Sequence, residues 1–447
     1  MSGSIGQSQP GTAAAVDRVL SGPASKAAGT SGCPVRKLSR PDDRLHPQVE
    51  CTGDGSSERW VVRSFETARE VLRSSTAVKQ AGFAAERIDD ATSGMRPPIL
   101  YLEAEAHQTQ RKAAARLFAP KVTEAYRPMI EQLSKQLVDQ VGVNTAVDLS
   151  QLSLRLAVQV AARVVGLTNS SVAGLSRRLD RFFDGDPTLS SRSVRSVLRS
   201  LRSSSAVLRF YYLDVKPAIR ERRRERRTDV ISQLLDAGFP DVDILTECVT
   251  YAAAGMATTR EFITVAVWHL LDDADLLRHY RQASTGERGT ILSEILRVEP
   301  VIGHLYRRTI RPLTLATADG PVDISEGSLI DIDIRAVNAD SRDVTGAPLT
   351  VRPGRELPRS VPSSGMSFGD GNHRCPGAPI AILETEIFVS TLLEHDVMAE
   401  SAPQVKWNDL TQGYDLDRFL IRRRGRRGNR NENLVRPLEK AHFIGQQ

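Results

Sequence analysis

Cysteine is sparse in this chain: Cys33, Cys51, Cys248 and Cys375 are its four, and no two stand at C-x-x-C spacing. That argues against a disulfide-dense scaffold and a zinc ribbon, and a reducing cytoplasm is the expected compartment. The first forty residues, rich in Gly, Ser and Ala, hold no apolar run of the length that a signal or anchor needs, so no membrane association is expected. Charge of one sign is also missing from most of the chain. The formal net charge is +6, and residues 422–447 carry that whole excess, eight Lys/Arg against Glu432 and Glu439. A near-neutral remainder argues against nucleic acid as a partner.

What is present is ordinary globular composition, 40% hydrophobic and 26% charged, enough for a sizeable core. Residues 1–45 read as a flexible leader, 46–422 as one body and 423–447 as a basic tail. Helical periodicity dominates the body, as in Leu152, Leu156, Val160 and Val164, or Ile291, Leu292, Ile295 and Leu296 ahead of Pro300. Strand-like alternation is confined to short pieces, Glu58–Arg63, Arg311–Ala316 and Ile330–Ile334. The expected fold is therefore mainly α, with a minor β-sheet. Ser341–Met366 is loop chemistry, with Pro348, Pro353, Pro358 and Pro362, and a long ordered loop of this kind usually serves function. The run Arg220–Arg227 reads as the solvated end of a helix.

That loop runs into Phe368-Gly-Asp-Gly-Asn-His-Arg-Cys-Pro-Gly377. Gly369, Gly371 and Gly377 permit a tight hairpin whose backbone can approach a bound group closely. The segment from Ala378 onward forms helix, with Pro379 in its first turn, so Cys375 stands just before a helix N-terminus, where the dipole favours a thiolate. A buried structural cysteine would not require the surrounding Phe, glycines and His.

The pattern Phe-Gly-x-Gly-x-His-x-Cys-x-Gly resembles the haem-binding loop of the cytochrome P450 family. The resemblance implies a single large helical domain enclosing haem b. Cys375 would be the axial metal ligand, His373 a partner of a haem propionate, and Phe368, Gly369 and Gly377 part of the cofactor loop. Backbone N–H groups after such a cysteine normally donate to its sulfur, and Pro376 has none to give. Three further motifs fall in the family's order. His107 and Arg111, at i and i+4, resemble the helix that meets the propionates, and Arg307 takes the matching third cationic position. Glu294-Ile-Leu-Arg297 resembles the family's structural Glu-x-x-Arg ion pair. Its third basic partner is not assigned: Thr350 stands at the aligned position, with Arg352 beside it.

Ala254-Gly-Met-Ala-Thr-Thr259 lies in an apolar helical run from about Asp243 to Leu271 and resembles the oxygen-activating segment. Ala254 and Gly255 would open the helix beside the iron, and Thr258 would hydrogen-bond bound dioxygen or its water. The departure is Ala257, where the family commonly has Asp or Glu to relay protons. Water on Thr258, a polar group of the substrate, or Glu261 one turn on would then supply them. By the same resemblance Phe83, Met95, Ile99 and Leu100, then Met256 and Ala257, then Val301, Ile302, Gly303 and His304 line the substrate pocket. Most are apolar.

The expected activity is oxidation of a small, partly apolar organic molecule by dioxygen, in secondary metabolism. Electrons would come from a ferredoxin and its reductase, an acidic partner suiting Lys112, Arg116 and Arg374 on the cysteine side. Oxidative coupling or cyclisation without oxygen insertion is the alternative that Ala257 motivates. A haem-binding sensor without turnover is the alternative from another class.

Overall fold

The computed structural model describes residues 47–53, 58–83, 96–171, 173–175, 177–178, 207–409 and 411–425. The leader (1–45), most of the basic tail (426–447) and Met95 lie outside the described residues.

In chain order the first elements are β1 (Val49–Thr52), β2 (Arg59–Val62), α1 (Phe65–Arg73), β3 (Val78–Ala81), α2 (Ala104–Ala115), α3 (Pro120–Glu124) and α4 (Arg127–Val138). Then come β4 (Val147–Asp148), α5 (Leu149–Val165), α6 (Lys216–Arg224), α7 (Val230–Asp236), the long α8 (Asp241–Asp272), α9 (Ala274–Gln282) and α10 (Thr285–Val298). After these follow β5 (His304–Thr309), β6 (Leu313–Thr317), β7 (Gly320–Ile324), β8 (Leu329–Asp333), α11 (Ile334–Asn338) and α12 (Ala378–Leu393). The last strands are β9 (Val397–Ala399), β10 (Gln404–Asn408), β11 (Gly413–Asp417) and β12 (Leu420–Arg423). The fold is mainly helical with a minor sheet, as the periodicity anticipates.

Helix α5 shows how locally the sequence dictates this. Leu152, Leu156, Val160 and Val164 share one face and are all buried. Asp148 caps the start by accepting from the Ser150 amide at 3.0 Å, and Gly166, at φ +102°, stops the helix in the left-handed conformation. The buried face packs into a core shared by α4, α8, α10 and α12, with Ile263, Ala266, Leu292, Phe388 and Leu392 among its members. Each such side chain contributes roughly 1.5–3 kcal/mol when fully buried. The span Gly371–Leu393 is long and apolar enough to cross a membrane by length and composition, and its α12 portion is built into this core.

The main sheet has the order β1-β2-β8-β5-β3, with β2 and β8 parallel and the other pairs antiparallel. It places Arg307 of β5 opposite Gln80 of β3. Ile334, grouped with a strand by its alternation, instead opens α11, because Asp333 caps that helix by accepting from the Ala336 amide at 3.0 Å. The arginine run also differs from expectation. Arg223, Arg224, Arg226 and Arg227 are exposed, but Arg222 is buried against Asp229 and donates to the Gly166 carbonyl and the Thr168 hydroxyl. At the other end, β12 extends regular structure to Arg423, and the Arg424 amide bonds the Asp396 carbonyl at 2.6 Å.

Candidate active site

The loop before α12 is held from both sides. Gly369 and Gly371 have φ of +68° and +66°, and a Cβ on Gly371 would come within 2.2 Å of the Leu72 carbonyl oxygen. Only glycine fits there. The Cys375 amide closes the loop on the Phe368 carbonyl at 2.8 Å. Asp370 anchors it to α1, accepting from Arg69 at 3.1 Å and from Arg73 at 3.1–3.3 Å. The α1 clamp was not read from the sequence, and the alternating Arg69/Arg73 spacing on one helical face was its only signal.

Cys375 itself lies deep within the protein, yet its surface is exposed, so it faces an internal space. Burial pushes its thiol above the ordinary range, while the Gly377 and Ala378 amides and Arg111 pull it down. Pro376 donates nothing, in keeping with its chemistry. A leucine there would restore an amide donor, and one net hydrogen bond of about 1 kcal/mol corresponds to roughly 40 mV for a one-electron couple. Pro376→Leu is therefore expected to raise the ferric/ferrous potential of the loaded protein by about that much. Spectroelectrochemical titration against wild type checks this, and a lowered or unchanged potential would contradict it.

The cationic residues expected around the cofactor do converge. The His107 and His373 rings lie 4.1 Å apart between centroids. Arg111, on the same helix as His107, donates to the Arg374 carbonyl beside Cys375. Burial, His373 and Arg111 press His107 down to about 4, so it is a neutral donor at neutral pH. Arg307 is buried and is lowered by that burial to about 10, which leaves it a cation. Its guanidinium bonds the Tyr306 carbonyl and has no ion-pair partner among the described residues. The sequence reading missed Glu103. Its carboxyl accepts from the Gln80 amide at 2.6 Å and lies 3.5 Å from His373 Nε2; despite burial, these contacts hold it below the usual range.

Helix α8 is unbroken from Asp241 to Asp272. Ala254 and Ala257 are exposed in the middle of this otherwise packed helix. The Thr258 hydroxyl donates to the Ala254 carbonyl at 2.5 Å. Gly255 does not open the helix. A Cβ there would meet Ala161 at 3.6 Å, so this glycine lets α5 approach closely. Met256, expected in the pocket, belongs instead to the core formed with Val158 and Ala162, on the face opposite Thr258. Glu261 is buried, and its Oε2 accepts from the Leu416 amide at 2.8 Å.

Of the other expected pocket residues, Phe83 (φ +50°) accepts the Tyr101 hydroxyl through its carbonyl at 2.6 Å. Ile302 is half-buried. His304 is paired with Asp331, Nδ1 to Oδ1, at 2.7 Å; burial opposes its protonation, but Asp331 outweighs that and raises it.

Behind the loop, Arg297 grips Glu294 through two bonds of 2.7 and 2.9 Å, as the motif implies. The third basic partner is Arg355, whose Nε donates to Glu294 at 2.9 Å. Neither Thr350 nor the Arg352 side chain takes that place, although the Arg352 amide reaches Glu294 at 3.2 Å. Asn338 ties the set to the cysteine loop, donating to the Arg297 carbonyl and Ser367 and accepting from the Met366 amide.

These residues fit a haem. The Cys375 sulfur is of the kind that ligates iron, and the buried Arg307 guanidinium, which Glu103 stabilises electrostatically without a direct ion pair, can still take a carboxylate such as a propionate. A sulfur presented by a glycine hairpin at a helix start, with imidazole and guanidinium groups gathered beside it, has the donor set of a haem-thiolate class of site.

The model of the family described as Cytochrome P450 matches residues 289–404. Cytochrome P450 107B1 of Saccharopolyspora erythraea is 28% identical over 387 residues, 82% of this chain and 89% of that protein. P450BioI, solved in complex with an acyl carrier protein bearing hexadec-9Z-enoic acid, superposes with a TM-score of 0.69 at 22% identity, covering 84% of this chain and 95% of that one. CxnD, described as a cytochrome P450 for C–S bond formation in chuangxinmycin biosynthesis, gives 0.67 at 23% identity, covering 82% and 89%. The C-terminal part of the chain thus matches the cytochrome P450 family, and over most of its length the chain is similar to bacterial cytochromes P450 and shares their fold.

Proposed function

We propose that this monooxygenase binds haem b through Cys375 and hydroxylates a small, partly apolar organic molecule of secondary metabolism, in the cytoplasm. The observation that carries the reading is the exposed Cys375 sulfur in its glycine hairpin, with His107, Arg111 and His373 gathered beside that loop. Once bound, the haem supplies the binding and reduction of dioxygen. The chain contributes the rest. Gly377 and Ala378 amides moderate the sulfur's basicity, while His107, Arg111, Arg307 and His373 orient the carboxylate edge of the cofactor. The methyl groups of Ala254 and Ala257 leave room above it, and the Thr258 hydroxyl holds a proton at the edge of that room.

Lys112, Arg116 and Arg374 are exposed around the helix and loop that flank Cys375, a cationic face suited to an acidic electron donor such as a ferredoxin supplied by its reductase. A screen for compounds that move the ferric spin state from low to high identifies the substrate. Turnover under isotopic dioxygen then tests the reaction: label in the product is expected, and product consistently free of label would overturn oxygen insertion.

The second reading is oxidative coupling or cyclisation on the same scaffold, favoured by the methyl of Ala257 where an acid would relay protons. The described likeness to CxnD, a C–S bond-forming enzyme, supports it. Unlabelled product would support this reading, and reductase-dependent product of either kind excludes a non-catalytic sensor.

A further inference from the structure

Thr258, Glu261, Val265, His269 and Asp272 follow one another at steps of three or four residues, so they share one face of α8. At the surface end His269 borders a cleft of about 320 Å³, with exposed Asp272, Asp273 and Asp275 around it. Such carboxylates raise the local proton concentration. His269 is itself buried, and its Nε2 lies 3.4 Å from Glu299 Oε1. Glu299 in turn borders a small cavity of about 20 Å³, shared with Glu261, Val265, Arg335 and Tyr414. One water needs roughly 10–15 Å³ and two or more polar partners.

The partners are there. Glu261 Oε1 and Arg335 Nε are buried and make no hydrogen bond among the described residues. Arg260 approaches Glu261 Oε1 at 3.2 Å without hydrogen-bonding geometry. The opposite end of the stripe is Thr258, one turn from Glu261 on the same helix and half-buried.

We propose that this face of α8 is a proton relay, running from the cleft through His269 and Glu299, across one water, to Glu261 and Thr258, in place of the acid absent at Ala257. It rests on the monooxygenase reading and supplies the proton route that reading lacks. A proton passed from the Glu261 carboxyl to the Thr258 oxygen displaces the hydroxyl's own proton into the space above Cys375. Glu299 restores the Glu261 proton through the water, and bulk water restores that of Glu299 through His269. Every group returns to its starting form, so only a proton moves. Burial supports the relay by pushing Glu261 up to about 8, against the pull of Arg260 and with the help of Asp415 and Asp417, so it holds its proton at neutral pH.

The test uses infrared spectroscopy of the ferric holoprotein at neutral pH, with no substrate, oxygen turnover or reductant. The protonated carboxyl band lost in Glu261→Gln is assigned to Glu261, and its deuterium exchange is timed after dilution into heavy water. His269→Asn and the cavity-filling Val265→Ile, which leaves every titratable group in place, are each expected to slow exchange on the order of tenfold or more. Absence of the band in wild type, or unchanged exchange in either folded variant, overturns the relay. Val265→Ile decides alone if His269→Asn does not fold. Failure here leaves oxygen insertion standing, because the thiolate spectrum and isotopic turnover test that separately.

Discussion

Cys375→Ala is expected to abolish the red-shifted carbon monoxide difference band of the reduced protein and, with it, all reductase-supported oxidation. The reason is local. The sulfur is the atom proposed to ligate the iron, and the loop geometry that presents it does not depend on it: Gly369 and Gly371 at positive φ, the Cys375 amide on Phe368, and Asp370 clamped by Arg69 and Arg73 all remain. Since Cys375 is exposed, loss of its sulfur removes little packing, and the unfolding free energy of the cofactor-free protein should fall by under about 1 kcal/mol. The variant therefore separates ligation from folding. A retained band would mean that another group binds the iron. A collapsed fold would mean that Cys375 is a structural residue.

How far the sequence foretells this site depends on the kind of interaction. Cys375, His373, His107 and Arg111 were legible because each sits in a short local pattern, fixed by turn glycines or by one helical turn. The misses are interactions between distant segments or the rotational setting of a helix. Met256 and Gly255 are adjacent to Ala254 and Ala257 in sequence, yet α8 turns about 100° per residue, and only packing against α5 decides which of them faces the space. Glu103 joins His373 across 270 positions, and Asp370 joins Arg73 across 297. No periodicity reports such pairs. Arg222 was read as solvated because its neighbours are, but Asp229, seven positions on, turns one arginine of the run inward. The helical class and minor sheet were legible throughout, because burial of one face per element leaves its period in the sequence.

Arg355→Met is expected to destabilise the fold by about 1.5–3 kcal/mol and to lower haem occupancy, the second large effect. Arg355 is almost fully buried, with its side chain 4% exposed. Besides Glu294, it donates to the Thr345, Gly346, Ala347 and Thr350 carbonyls at 2.6–3.1 Å. One guanidinium thus organises the first half of the proline-rich loop and fastens it to α10. Methionine matches the length and apolar stem but donates nothing; the exposed loop carbonyls can turn to water, so what is lost is the charge-assisted bonding, about 1.5–3 kcal/mol. Glu294 keeps its two bonds from Arg297, so the loss falls mainly on the loop and not on an abandoned carboxylate. That loop leads into Met366 and the cysteine hairpin, which Asn338 ties to the same α10, so loosening it displaces the sulfur's support. Arg355→Lys should recover only part of the stability, since an ammonium cannot reproduce a planar fork spread over five acceptors. Urea denaturation with haem content measured in parallel decides the matter. A loss below about 1 kcal/mol, the scale of a surface ion pair, would show that the loop is held by something other than Arg355.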